Sequence, residues 1–529
     1  VFVATDADDV RVIYSASDLA AAARCEYALL RSFDARLGWG PAVSADDELL
    51  ARTATLGDEH EQRHLDELRH DTEVAVIGRP RYSVAGLTAA AEQTLRAIER
   101  RVPVVYQAAM FDGRFAGFAD FLILEDSPDG PRYRLRDTKL ARSVKVEALL
   151  QMAAYVETLT AAGVPVGPEV DLVLGDGTAV SYPVDELLPV YRPRRAALQR
   201  LLDEHFAGGR AVAWEDEHVR ACFRCAECDK QVRAHDDLLL VAGMRVSQRA
   251  RLLDAGITTV QELAAHDGPV PELSTRAVTA LKSQARLQLA DRVVENGNVK
   301  PPYELVDPQP LMVLPDADKG DLFFDFEGDP LWTTDGREWG LEYLWGVLSV
   351  ADDFEPLWAH NRSEERQALK DFLALVRKRR RRYPGMHVYH YAAYEKSALL
   401  RLAGRYGEGE HEVDELLRDG VLVDLYPLVR KSIRVGTENY SIKSLEPLYM
   451  GNELRDGEVT TATASITEYA RYCALRDEGR TDEAATVLKE IEEYNRYDCR
   501  STRRLRDWLM ARAIECGVPP RGPVPVTAG

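Results

Sequence analysis

Asp325 and Glu327 stand two apart in Asp321-Leu322-Phe323-Phe324-Asp325-Phe326-Glu327, where the apolar run is of the kind that makes a buried strand. Side chains alternate along a strand, so both carboxylates point to one face. Such a pair repels itself unless a cation sits between the two. Hard oxygen ligands suit Mg²⁺ or Mn²⁺, the ions of phosphodiester hydrolysis. Far downstream, Tyr494-Asn495-Arg496-Tyr497-Asp498 puts Tyr494 and Asp498 one helical turn apart on one face. Glu395 ends Val388-Tyr389-His390-Tyr391-Ala392-Ala393-Tyr394-Glu395, a strand leading into a helix.

A second set of groups lies upstream. Asp137 and Lys139 share one face of an expected strand, and Asp120 ends another after Gly117, which permits close backbone approach. Paired acids can hold a cation that activates water, while an ammonium stabilises charge near a scissile phosphate. Gln151 and Tyr155 are four apart on the following helix, hence on one side of it. Cys222, Cys225 and Cys228 form a tight cluster, with Cys25 far upstream. Cys473, Cys499 and Cys516 are scattered and read as free thiols of a reducing compartment. His60-Glu61-Gln62-Arg63-His64 is formally the His-Glu-x-x-His of zinc proteases, but its flanks are almost wholly charged, leaving His64 an exposed helical residue.

The elements that must position these groups fall into several blocks, as 529 residues are too many for one core. One helix is expected over residues 17–37, capped by Ser17, closed by Gly38 and carrying Cys25; a charged helix follows near 49–70. Strands at 104–106, 115–123 and 133–139, a helix over 146–162 and a strand over 170–174 predict an α/β domain closing at the cysteines, residues 1–236. Residues 237–300 read as helical, with a helix ending at Gly256 and a capping box of Thr259 and Glu262. This segment resembles a helix–hairpin–helix module, whose turn offers backbone N–H groups to a phosphate; a plain helical connector is the alternative. Prolines mark a linker at 301–319. A last domain spans 320–516, ending in a long helix around 491–513, and a disordered tail is expected over 517–529.

The ordered set His60, Asp120, Asp137-Thr138-Lys139, Gln151 and Tyr155 resembles the RecB-like branch of the PD-(D/E)xK nucleases, with Asp137 where Glu is commoner. The resemblance implies a restriction-endonuclease-like core in which His60, Asp120 and Asp137 hold the metal and Lys139, Gln151 and Tyr155 serve catalysis. Iron–sulfur members of that branch join one cysteine before the core to three after it. Cys25, Cys222, Cys225 and Cys228 then imply a [4Fe–4S] cluster, with zinc the rival for the same four thiolates. Asp325, Glu327, Glu395 and Asp498 resemble the acids of the RNase H-like DEDD exonucleases, especially the YprB-type domains. Their family binds two metal ions through four acids and uses the tyrosine matching Tyr494 to orient the attacking water. Glu395 stands where that family has Asp, with Asp424 an alternative contributor.

Together these resemblances imply an α/β multidomain nuclease acting on DNA, on single strands or ends, in repair or recombination, with a helicase domain or partner. A binding scaffold with decayed sites is the alternative, favoured by the departure at Glu395, and a zinc protease through His60 and His64 the remote one. The formal charge of −20 runs against nucleic-acid binding as a whole, so phosphate contacts need a local basic groove. Residues 377–382, Arg-Lys-Arg-Arg-Arg-Arg, are either that or a solvated helix end. No apolar run is long enough to span a bilayer and the start lacks a secretory layout, so the expectation is a cytoplasmic protein without membrane contact.

Overall fold

The computed structural model describes residues 1–6, 9–43, 48–295, 298–451, 453 and 461–519. It is a multidomain α/β protein of two compact units, Val1–Ala234 with Thr334–Glu338, and His235–Thr333 with Trp339–Gly529. No helix among the described residues is long and apolar enough to cross a membrane.

The first unit is built on one mixed sheet of β1 (Phe2–Asp6), β2 (Asp9–Ser15), β3 (Val74–Val76), β4 (Val104–Phe111), β5 (Phe115–Glu125), β6 (Arg132–Lys139), β7 (Val166–Leu174) and β8 (Ala179–Pro183). Strands β4, β5 and β6 run antiparallel in succession, and β7 pairs parallel to β6 after the crossover helix α5 (Val146–Ala161). Helix α5 is apolar on most of its circumference because it is covered nearly all round, burying Leu150, Met152, Ala153, Ala154 and Val156 in the main core. The charged helix α3 (Glu48–Asp71) has only His60 and Leu65 fully buried.

The helix expected over 17–37 is two helices, α1 (Ala16–Arg24) and α2 (Glu26–Leu37), capped at the start by Ser15 rather than Ser17. Cys25 lies between them in extended backbone, φ −162°. Its sulfur accepts from the backbone N–H of Ala28 at 3.4 Å, so the thiol caps α2 instead of riding on a helix. Apolar periodicity runs through such a one-residue break, and the pattern alone does not reveal it.

The second unit opens with short helices α8 (Val246–Asp254), α9 (Val260–Ala265) and α10 (Thr275–Leu289), which share a small core around Leu252, Leu263 and Leu281. The capping box of Thr259 and Glu262 starts α9, and Gly256 adopts φ +77° in the turn before it. A five-stranded sheet follows, ordered β14 (Phe354–Trp358), β13 (Leu341–Ser349), β12 (Leu322–Asp329), β15 (Val388–His390), β16 (Leu422–Asp424). Strands β12 and β13 are antiparallel, while β15 and β16 run parallel to β12.

Alternation along β12 sends Leu322, Phe324 and Phe326 into one core with Phe372 of α11 (Arg362–Arg382) and Leu399 of α12 (Tyr394–Tyr406). Phe323 points the other way, into a core with Leu505 and Leu509 of α17 (Thr481–Glu515). Helix α17 starts ten residues ahead of the expected one, and of its first turns only Ala484, Val487 and Ile491 are buried. In the tail expected to be disordered, Val518 is buried in this same core; residues 520–529 lie outside the described residues.

Candidate metal centres

The face of β12 that carries Phe323 also carries Asp325 and Glu327, and α17 crosses that face. Helical spacing on α17 then presents Tyr494, Asn495 and Asp498 together. Asp325, Glu327 and Asp498 each bring one carboxylate oxygen within 4.8 Å of the others, a spacing that one divalent ion can bridge. Burial and the charge of Asp498 push Glu327 up to about 8, opposed by hydrogen bonds from Ser465 and Asn495 and by the charge of Lys443. Three acids this close repel one another, and a divalent ion held between them relieves that repulsion.

Two neighbours that the motifs did not indicate hold this centre. Asn495 is fully buried and its Nδ2 donates to Asp325 Oδ2 at 2.7 Å. A Cβ on Gly346, the strand partner of Asp325, would lie 1.7 Å from Asn495 Oδ1, so only glycine leaves room for this amide. Lys443, on the short helix α15 (Ile442–Leu445), sets its Nζ 5.4 Å from the centre of the Tyr494 ring. Asn495 stood beside Tyr494 in the motif, but nothing in spacing distinguishes it from any other helical amide.

Glu395 does not join the three acids at coordinating distance. It is buried, and His390 Nδ1 lies 3.2 Å from its Oε2 while also facing the Ala392 carbonyl at 2.8 Å. Burial opposes protonation of His390, but the bond and charge of Glu395 and the charge of Asp424 raise it above the usual histidine range. Asp424 is occupied as well, accepting from the backbone N–H groups of Ala392 and Tyr426, each at 2.9 Å. Glu395 still lies near the centre, since burial and the charges of Asp325, Asp498, Glu395 and Glu327 all push up the thiol of Cys499.

In the first unit, β5 and β6 pair through Phe121 and Arg136, which sets Asp120 beside Asp137. Asp120 Oδ2 accepts from Thr138 N at 2.7 Å and Thr138 Oγ1 at 2.8 Å. Asp137 is fully buried and forms an ion pair with Lys139 on the same face of β6. Burial and the charge of Asp137 hold Asp120 well above the usual carboxylate range, against the pull of Lys139. Burial alone would lower Lys139, but the two acids raise it, so it stays an ammonium. Gln151 Nε2 donates to Tyr155 Oη at 2.7 Å, and burial, with the charges of Asp137 and Asp120, keeps Tyr155 a phenol. A Cβ on Gly117 would meet the Tyr155 ring at 2.5 Å, which is the close approach its lack of a side chain allows.

His60 is buried, yet its Nε2 faces the Val173 carbonyl at 3.5 Å, and among the described residues no trio of metal ligands forms around Asp120 and Asp137. The helix residue whose charge acts on both Asp120 and Lys139 is its neighbour Glu61. Gln107 links them, donating from Nε2 to Glu61 and to Asp120 Oδ1, 3.5 Å from the latter. It does so from φ +53° inside strand β4, a strained backbone for a residue with a side chain. His64, read as exposed, is mostly covered: it packs edge-on to Phe121 at 5.0 Å and its Nδ1 lies 3.4 Å from Glu67. The pair His60 and His64 forms no metal group among the described residues.

The four cysteines converge: Cys25 and Cys228 sulfurs lie 3.6 Å apart, Cys222 and Cys228 3.9 Å, Cys225 and Cys25 3.9 Å. Burial opposes ionisation of Cys222, but the N–H groups of Arg224 and Cys225 aim at its sulfur and bring the thiol down to about 7. Burial pushes Cys228 up. Four cysteines this close could hold a metal ion or an iron–sulfur cluster. Around one tetrahedral ion with bonds of ~2.3 Å, sulfurs stand about 3.8 Å apart. A [4Fe–4S] cluster puts each thiolate on a different iron and spreads the sulfurs wider.

Residues 322–510 match the RNase_H superfamily and are an RNase H-like domain. No curated protein matches the sequence. An RNase H-like domain implies a nucleic-acid substrate, and its acidic trio is consistent with a metal-dependent nuclease.

Proposed function

We propose that the RNase H-like domain is a metal-dependent nuclease hydrolysing phosphodiester bonds of DNA, at single strands or ends. The convergence of Asp325, Glu327 and Asp498 within 4.8 Å carries this reading. These carboxylates would hold Mg²⁺ or Mn²⁺, which supplies Lewis acidity and a nucleophilic hydroxide when bound. Asn495 fixes the rotamer of Asp325 through its 2.7 Å hydrogen bond. Tyr494, one turn from Asp498, orients the attacking water, and Lys443 adds positive charge beside Tyr494. Glu395, held by His390, contributes field rather than a metal bond.

A second nuclease centre of PD-(D/E)xK type in the first unit is supported by the buried Asp120 and Asp137 and by the half-buried Lys139 paired with Asp137. There Lys139 stabilises charge at the scissile phosphate, Gln151 and Tyr155 support the acids' wall, and Glu61 stands in the helical position assigned to His60. The sulfur spacing favours one tetrahedral ion, with zinc the best match, as a clip between the two ends of this unit. Metal analysis settles that point: one zinc and no visible absorbance supports it, and four irons with brown colour overturns it.

The deciding experiment digests end-labelled single and duplex strands with Mn²⁺, comparing wild type, Lys139→Ala and Asp325→Ala. Loss of cleavage with Asp325→Ala assigns the chemistry to the RNase H-like domain, and loss with Lys139→Ala assigns it to the first unit. Equal cleavage by all three removes both assignments.

A further inference from the structure

In a chain of net charge −20, a groove lined by cations and by no carboxylate stands apart. Such a groove, about 480 Å³, lies between α8 and α10 on one side and the junction of α14 (Tyr426–Ser432) with β17 (Ile433–Val435) on the other. Arg245, Arg276, Arg430, Lys431 and Arg434 line it. The first four are exposed, and among the described residues none of them is paired with a carboxylate. Only Arg434 is, with Glu304 at 2.8 Å. Arg430 lies 4.3 Å over the ring of Tyr440, which holds its guanidinium at the groove without neutralising it.

The walls are held together by buried contacts. Gln284 Nε2 donates to the Val435 carbonyl at 2.8 Å, and Tyr440 Oη donates to Gln284 Oε1 at 3.1 Å. A Cβ on Gly436 would come within 2.5 Å of the Leu287 carbonyl. The helical segment is therefore docked on the RNase H-like domain rather than acting as a loose connector.

Two other places that sequence nominates for phosphate are partly occupied by the protein's own groups. At the turn before α9, the Glu262 carboxylate accepts from Thr258 N at 2.7 Å and Thr259 N at 3.2 Å, so the hairpin's N–H groups face an acid. In the basic run closing α11, Arg380 pairs with Asp419 at 2.7 Å, and Arg379 donates to the Gly320 carbonyl at 2.6 Å.

We propose that the groove lined by Arg245, Arg276, Arg430, Lys431 and Arg434 binds the phosphodiester backbone of a nucleic-acid strand. Unpaired cations in a fixed concave surface concentrate positive potential. Backbone contact is independent of base identity, so such a groove holds a strand of any sequence. This inference rests on the nucleic-acid reading given under Proposed function.

The test is fluorescence anisotropy of a labelled single-stranded oligonucleotide, DNA and RNA in separate arms, in EDTA and over a range of KCl. Wild type is compared with Arg430→Glu/Lys431→Glu, with Arg245→Glu/Arg276→Glu on the opposite wall, and with Arg96→Glu/Arg100→Glu as an equal charge change elsewhere. Milder Arg430→Ala/Lys431→Ala protein, checked by circular dichroism, covers misfolding of the reversals. Groove variants are expected to bind at least about tenfold more weakly, and the alanine pair to flatten the salt slope by about 1.4, with ~0.7 per lost phosphate contact. The control pair is expected to bind as wild type does. Groove and control variants weakened equally, or neither weakened, overturns the groove while the nuclease reading stands. No binding by wild type overturns both.

Discussion

The two acid centres solve the same electrostatic problem in opposite ways. In the first unit, Asp120 and Asp137 are neighbours on adjacent strands, and Lys139 from the same strand is already paired with Asp137. In the second, Asp325, Glu327 and Asp498 converge with Asn495 as a neutral hydrogen-bond donor to Asp325, and the charge of Lys443 only moderates the burial of Glu327. A resident ammonium lets buried carboxylates stay put without a metal, whereas three acids within 4.8 Å of one another suit a divalent ion that bridges them. The second centre should therefore depend on divalent ions for its stability as well as its chemistry, and the first much less.

The sharpest way to break that contrast is to remove ligands. Asp325→Ala and Asp498→Ala are each expected to lower Mn²⁺-dependent cleavage on the order of 10³-fold. Glu395→Ala, acting outside the metal shell, should cost about tenfold or less, from loss of field alone. A steady-state assay on a labelled strand checks all three. If Glu395→Ala matches Asp325→Ala, the fourth acid is a ligand and the pairing with His390 gives way when metal binds.

Asn495→Ala comes next, with an expected loss of about 10–100-fold in metal affinity, as for other groups that orient a ligand. Isothermal titration with Mn²⁺ measures it. Gly346→Ala should mimic it, because the added methyl displaces the Asn495 amide.

The first unit responds differently. Lys139→Ala leaves Asp137 buried and unpaired, and is expected to destabilise the unit by about 2–3 kcal/mol, discounted from a fully buried pair because Lys139 is partly exposed. Added Mn²⁺ should then raise the variant's melting temperature more than the wild type's, since the cation replaces the lost ammonium. Equal shifts would mean that the lysine does not stand in for an ion.

The smallest effect is in pH. Glu327 is held up to about 8 in the folded chain against an ordinary value of 4.5. The metal-free fold thus binds a proton that the unfolded chain has lost, and its stability falls as pH rises from 4.5 toward 8. Metal binding must expel that proton, so Mn²⁺ affinity should increase with pH over the same window and level off near 8. Titrations in buffers of different ionisation enthalpy should show about one proton released at pH 6.5. In Glu327→Gln that release should vanish.

How much of this was legible beforehand depends on whether a feature is local. The Asp-x-Glu strand, the Tyr-x-x-x-Asp helix, the acid-x-Lys strand and the capping box of Thr259 and Glu262 are set by alternation and by the helical turn. They stand in the structure on the elements expected of them. Which distant residues meet was legible only through resemblance, as for Cys25 with Cys222, Cys225 and Cys228, and for Asp325 and Glu327 with Asp498. Helical spacing presents Glu61 and His60 equally, and only the bridge through Gln107 shows which of them acts on Asp120.

The chain by itself determined which side chains share a face, because a period of two or 3.6 residues follows from backbone geometry alone. It also determined that four thiols and two acidic sets would need cations wherever they met, because like charges cannot be buried together unaided. Only the tertiary structure decided the partners: Glu395 with His390, Asn495 with Asp325, Glu262 with the hairpin's own N–H groups, and five cations from separate segments along one groove. Those choices turn on which surfaces pack together, and packing joins residues whose separation along the chain carries no periodic signal.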